Sequence, residues 1–417
     1  MSQEISGVEA MGKYPKWVYE LAERVLIESI KYPTVLGESY REITEFYSEV
    51  LSEYGVHTTL YRVPDDYTAK HLAPETKPEK ARYILLARIG SGDRTLQYNG
   101  HYDVIAPGEG WSVTEPFNPK KIEDRVYGRG STDMKGGIAA FLAALAYLAQ
   151  GELNIVVEAA FVPDEEIGGA AGTGYLVKEI GSRPTWVVIA EPSGIDNIWI
   201  GHKGLVWCYV KVYGKQVHGS TPWLGDNAFE KMVEVAKYFI EEYIPRLQSI
   251  RSRYSYDLAG GEYPTATLGG KLIAPGSINI VPGVSGFSID RRLIVEERAD
   301  TVAKELEEFA KKASEKLKVK TELVVVEKMD PALTDPESQL VKALTETVAE
   351  NIGRTPRTTI CIGGLDMRYY TALGIETVTY GPGEPGMPHK VDEYVKLSNV
   401  YKAVDVYIDL AYRLSRT

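Results

Sequence analysis

The chain has 417 residues, 44% of them apolar and 25% charged, with a formal net charge of −11. That length exceeds what one hydrophobic core ordinarily supports, so two domains are expected, and the composition argues against a disordered chain. The acidic balance speaks against a nucleic-acid partner, and the longest apolar run, 138–149, is too short for a bilayer, which takes about 20 residues.

Residues 1–14 carry no apolar stretch behind a basic start, so no secretory leader is expected. Cys208 and Cys361 are far apart, which predicts no disulfide framework; a soluble, cytoplasmic protein without a membrane partner is the expectation. Helical spacing of apolar residues predicts helices over 16–29 and 40–54, alternation predicts a strand over 57–63, and a compact apolar run predicts one over 83–88. A strand over 96–100 runs into His101, an Ala-rich buried helix covers 134–150, and strands over 154–162 and 186–190 lead to Glu165-Glu166 and to Glu191. Residues 377–380 form a similar strand ahead of His389. In open α/β sheets, sites collect beyond the carboxyl ends of strands, so these groups can meet at one rim.

From Gly201 onward the pattern changes. Strands over 205–212, 265–269, 287–294 and 320–326 alternate with helices over 229–243 and 300–317, the latter rich in Glu/Lys pairs at helical spacing. The order β-α-β-β-α-β is that of a ferredoxin-like sandwich. An α+β domain spanning 203–326 is therefore expected inside an α/β domain made of 1–202 and 327–417, whose last helices cover 337–352 and 397–414.

Two histidines, His101 and His389, flank the acids Asp133, Glu166 and Glu191 in the chain. Neutral imidazole with carboxylate suits a borderline-soft dication such as zinc. Each residue alone has a bland alternative: Asp133 as a helix N-cap, Asp103 and His101 as a polar loop pair, Glu165-Glu166 as a solvated acidic loop. Together they supply enough ligands for two ions if one carboxylate bridges. Glu165 and Glu166 are adjacent and diverge, so one can bind while the other takes a proton. A metal-stabilised binding protein needs no such spare carboxylate.

The strings GHYDV (100–104), GRGSTDMKGG (128–137), DEEIGG (164–169), AEPSG (190–194) and PHKVDEYV (388–395) closely resemble the dinuclear-zinc metallohydrolases. That superfamily includes acetylornithine deacetylase, succinyl-diaminopimelate desuccinylase, aminoacylase and glutamate carboxypeptidase. The resemblance implies a three-layer αβα catalytic domain with a mostly parallel central sheet, and a lid and dimerisation domain for the insert. It implies that Asp133 bridges two ions, most simply Zn with Co or Mn as substitutes. His101 and Glu191 complete one site, and Glu166 and His389 the other. Glu165 is the implied general acid/base and Asp103 the residue that orients His101. His218 is implied to polarise the scissile carbonyl across a homodimer, and Asn279 and Arg292 to bind substrate, with strand alternation leaving Arg291 as the alternative. The segment Gly363–Arg368 departs from the family, which usually has Thr or Ser before the aspartate; Gly364 and Leu365 stand there instead. The activity implied is hydrolysis of a linear amide in an N-acylated amino acid, the alternative being a carboxypeptidase or dipeptidase.

Overall fold

The computed structural model describes residues 12–416, so the reading of 1–14 falls mostly outside the described residues. The chain divides into two compact units, one of Met1–Ile200, Thr334–Thr358 and Leu365–Thr417, the other of Gly201–Leu333 with Thr359–Gly364. The second unit is wider than the expected 203–326. Its closing strand runs on through Lys320–Met329 and stays paired with the opening strand as far as Met329 opposite Leu205.

The sheet of the first unit has the order His57–Arg62, Tyr83–Gly90, Val156–Val162, Thr95–His101, Trp186–Ile189, Glu376–Thr379, Asn197–His202. Its four central strands pair in parallel. The pairs outside them are antiparallel, so the sheet is mixed rather than mostly parallel. The connection explains this. Residues 91–94 are too few for a crossover, which takes a dozen or more, so Tyr83–Gly90 must run against Thr95–His101. Val156–Val162 slots between the two.

The helix Gly136–Leu148 is buried at every position but Tyr147 and packs against Lys16–Ile30 and Leu397–Ser415. A helix apolar all round is one covered on every side. It starts two residues later than expected, because Asp133 and Met134 have non-helical dihedrals. A Cβ on Gly137 would fall 2.1 Å from the Ala190 carbonyl oxygen. Glycine there lets the helix start abut the strand end that delivers Glu191. The small sheet of Lys120–Ile122, Arg125–Tyr127 and Tyr394–Lys396, absent from the sequence reading, pins the segment after His389.

The second unit has the antiparallel order Thr265–Ile273, Val284–Leu293, Gly204–Tyr213, Lys320–Met329, the ferredoxin-like arrangement. Val206, Cys208, Val210 and Val212 face Phe239, Phe287, Leu306 and Phe309 in its core. Burial of about ten large apolar side chains, each contributing roughly 1.5–3 kcal/mol, holds such a unit together. Cys208 and Cys361 are both buried, and neither forms a disulfide. No helix among the described residues is long and apolar enough to cross a membrane.

Candidate metal centre

Parallel strands with the same polarity end at the same rim, and the chain spends that rim on polar side chains. His101 is the last residue of Thr95–His101, Glu165 and Glu166 follow closely on Val156–Val162, and Glu191 on Trp186–Ile189. Asp133 comes from the turn Ser131–Lys135 before the buried helix, and His389 from the loop beyond Glu376–Thr379. His389 has φ +67°, a left-handed backbone that costs energy in a non-glycine residue and is found where a surrounding structure imposes it.

The structure gathers all six. His101 Nε2 lies 3.2 Å from Asp133 Oδ1 and 3.5 Å from Glu191 Oε1. His389 Nε2 lies 3.5 Å from Asp133 Oδ2 and 3.0 Å from Glu166 Oε2. Asp133 therefore turns one oxygen to each histidine. Donor atoms of His101, Glu165 and Glu191 lie within 4.8 Å of one another, as do those of Asp133, Glu166 and His389.

His101 Nδ1 is 3.0 Å from the Asp103 carbonyl, which can only accept, so Nδ1 carries a proton in that contact and Nε2 is the nitrogen turned toward Asp133. The orientation expected from the Asp103 carboxylate thus comes from its main chain. The carboxylate stands 3.5 Å from Nδ1 and instead accepts the backbone N–H groups of Glu165 and Glu166, each at 3.2 Å.

Residues missed from sequence complete the scaffold. The buried Glu393 carboxylate accepts from Arg129 Nη1 at 2.7 Å and from the backbone N–H groups of Gly130, Thr132 and Asp133 at 3.0, 2.8 and 3.0 Å. It thereby holds the loop that presents Asp133. Asp164, just before the glutamate pair, is fully buried against Arg82 Nε at 2.8 Å and Tyr40 Oη at 3.0 Å. The only signal for Glu393 was its place in the string after His389.

The protein alone leaves this cluster with excess negative charge. Burial pushes Glu191 up to about 8, against the opposing pull of His101. Burial, with the charge of Glu191, also raises Glu165 well above the carboxylate range, and burial with Asp133 raises Glu166. His389 is raised to about 10 by its hydrogen bonds to Asp133 and Glu166. Burial opposes protonation of His101, but Glu191, Asp103 and Asp133 outweigh it and raise that imidazole too. Burial would raise Asp133, yet the two histidines hold it below the usual range. Glu191 Oε1 is buried without a hydrogen-bond partner. Carboxylates straining for protons, an orphaned oxygen and imidazole Nε2 atoms turned inward form a donor set that fits divalent cations.

The remaining expected residues lie in the second unit. His218, exposed, has Nδ1 2.7 Å from Ser220 Oγ and sits opposite Ile280 on a two-stranded ribbon. Asn279 is exposed beside it, and its carbonyl accepts from Gly219 N at 2.7 Å. Arg291 is fully buried against Glu297 and Tyr243. Arg292 points to the other face, about a third exposed, 2.8 Å from Asp290. The alternation left open by sequence therefore makes Arg292 the accessible one.

Residues 98–413 match the family model for Peptidase family M20/M25/M40. The chain belongs to that family. Its members include relatives of this M20 chain along most of its length. A Staphylococcus aureus protein described as a probable succinyl-diaminopimelate desuccinylase is 28% identical, the match covering 88% of this chain and 94% of the relative. A succinyl-diaminopimelate desuccinylase from Wolinella succinogenes is 31% identical over 79% of this chain and 86% of its own. In fold the chain is similar to an M20 family metallo-carboxypeptidase from Sulfolobus solfataricus, with a TM-score of 0.71 and 23% identity over 95% and 99% of the two chains. The M20 protein is thus an enzyme, a metallo-amidohydrolase.

Proposed function

We propose that this M20 enzyme hydrolyses the linear amide of an N-acylated amino acid, of the succinyl-diaminopimelate or acetylornithine type, in the cytoplasm and as a homodimer. One observation carries the reading: a rim cluster with five ligand-type side chains and one carboxylate, Glu165, in excess. The succinyl-diaminopimelate name of relatives at 28–31% identity supports the acyl class.

In this reading Asp133 would be shared by two divalent cations, zinc with cobalt or manganese as substitutes. His101 and Glu191 would hold one, and Glu166 and His389 the other. When bound, such ions supply Lewis acidity, which lowers a water's pKa to about 7 and polarises a carbonyl. Glu165 takes the proton from the attacking water and returns it to the departing amine, as a general base and then acid. Its raised proton affinity suits the second role. Asp103 fixes the turn that carries Glu165 and, through its carbonyl, the His101 ring. His218 of the dimer mate faces the developing oxyanion, and Asn279 and Arg292 hold the substrate carboxylate.

A substrate panel with zinc and with cobalt tests this. N-succinyl-diaminopimelate and N-acetylornithine are expected to be cleaved faster than acylated neutral amino acids and simple dipeptides. Preference for dipeptides would transfer the protein to the exopeptidases.

A further inference from the structure

Each of the five ligand-type side chains has an oppositely charged neighbour within 3.5 Å. Glu165 is the exception: its carboxylate makes no hydrogen bond or ion pair among the described contacts, while its backbone N–H is held by Asp103 at 3.2 Å. Its aim therefore rests on the turn it occupies, Glu165–Ile167. That turn closes when Gly168 N donates to the Glu165 carbonyl at 2.8 Å.

The far end of the turn is gripped from a distant stretch of chain. The Gly168 carbonyl accepts from Arg368 Nη2 and from Tyr369 Oη, each at 2.7 Å. Arg368 Nη1 donates to the Leu365 carbonyl at 2.8 Å, and the nearest carboxylate, Asp366, stands 3.9 Å off. A guanidinium with 17% of its side chain exposed is thus spent on two neutral carbonyls instead of a close ion pair. Such burial is costly unless the geometry it enforces matters. Packing is equally tight beside it: a Cβ on Gly169, φ +64°, would fall 2.1 Å from Asp366 Oδ1.

We infer that Arg368 and Tyr369 are positioning residues for Glu165, acting through the Gly168 carbonyl. The segment that in relatives of this sequence type carries a hydroxyl before the aspartate has here a clamp on the proton carrier's turn. Asp103 holds the start of the turn and the Arg368–Tyr369 pair its end, so the carboxylate is aimed by backbone held at both ends. The inference rests on the reading of Glu165 as the proton carrier.

The test uses the zinc-loaded full chain with N-succinyl-diaminopimelate, or whichever amide of the panel is cleaved fastest. Arg368→Ala is expected to lower kcat about 100-fold, the scale of a misplacement of about 1 Å, with KM and zinc per chain unchanged. Arg368→Lys, able to reach one carbonyl, should recover part of the loss. Tyr369→Phe, which keeps the ring and removes one of two hydrogen bonds, should lower kcat about fivefold and carries the test if Arg368→Ala does not fold. Retention of wild-type kcat in these variants, or a loss that follows zinc content or KM, overturns the inference. Glu165→Gln is measured in parallel. If it is inactive while the Arg368 and Tyr369 variants keep kcat, only the clamp falls; if it is active, the proton-carrier reading and the clamp fall together.

Discussion

In the first unit the polar residues of interest, the exposed His389 apart, are buried or half-buried and drawn together from positions 101 to 389; in the second, His218, Asn279 and Arg292 are exposed or half-exposed, and the side chains of His218 and Arg292 bond to Ser220 and Asp290, two residues away in sequence. A self-contained cluster pays its desolvation through mutual contacts and, in the proposed reading, through bound cations. Exposed groups on a rigid ferredoxin-like unit are prepared for something that arrives from outside. In the proposed reading, metal binding and proton transfer belong to one region and substrate recognition to the other.

The sharpest way to break that contrast is at Glu165. Glu165→Gln should lower kcat about 1000-fold, the range of a lost general base, with two metals per chain still found by elemental analysis. His218→Ala should lower kcat about 100-fold with metal content intact. Mixing these two inactive variants is more telling. If His218 works in a dimer mate's site, heterodimers should restore about a quarter of wild-type turnover, whereas a cis role restores none. Glu393→Ala touches neither metal nor substrate, yet it releases three backbone N–H groups of the Asp133 loop; zinc affinity should fall about 10–100-fold, measured by competition with a chelator.

The smallest effects separate two neighbouring arginines. Arg292→Leu should raise KM about tenfold, with the melting curve unmoved. Arg291→Leu should leave KM alone and cost about 3 kcal/mol of stability in denaturant melts, because Glu297 loses its buried partner. Reversal of the two outcomes would assign recognition to the wrong face of the strand.

The parts of this architecture legible in sequence are those that repeat or terminate locally. Compact apolar or β-rich runs marked the strand ahead of His101 and those leading to Glu165 and Glu191, and the order of elements marked the ferredoxin-like unit. The strand Asn197–His202 escaped because its complete burial leaves no alternation and Asn197, Gly201 and His202 break the apolar run that announces Trp186–Ile189. Glu393 escaped because its partners are 261–264 residues away and no local pattern announces them. Asp103 was assigned by residue type, whereas the structure divides its work between main chain and carboxylate.

The six clustered side chains are spread from position 101 to position 389 along the polypeptide. A ribosome finishes the first of them long before the last, and proteins are made from the amino end at about 5–20 residues per second. Until the carboxyl-terminal stretch has emerged and docked through Tyr394–Lys396, the pair of pockets does not exist. In the proposed reading, ion capture thus waits for the stretch that carries His389, and a product cut short before it carries neither cargo nor reactivity.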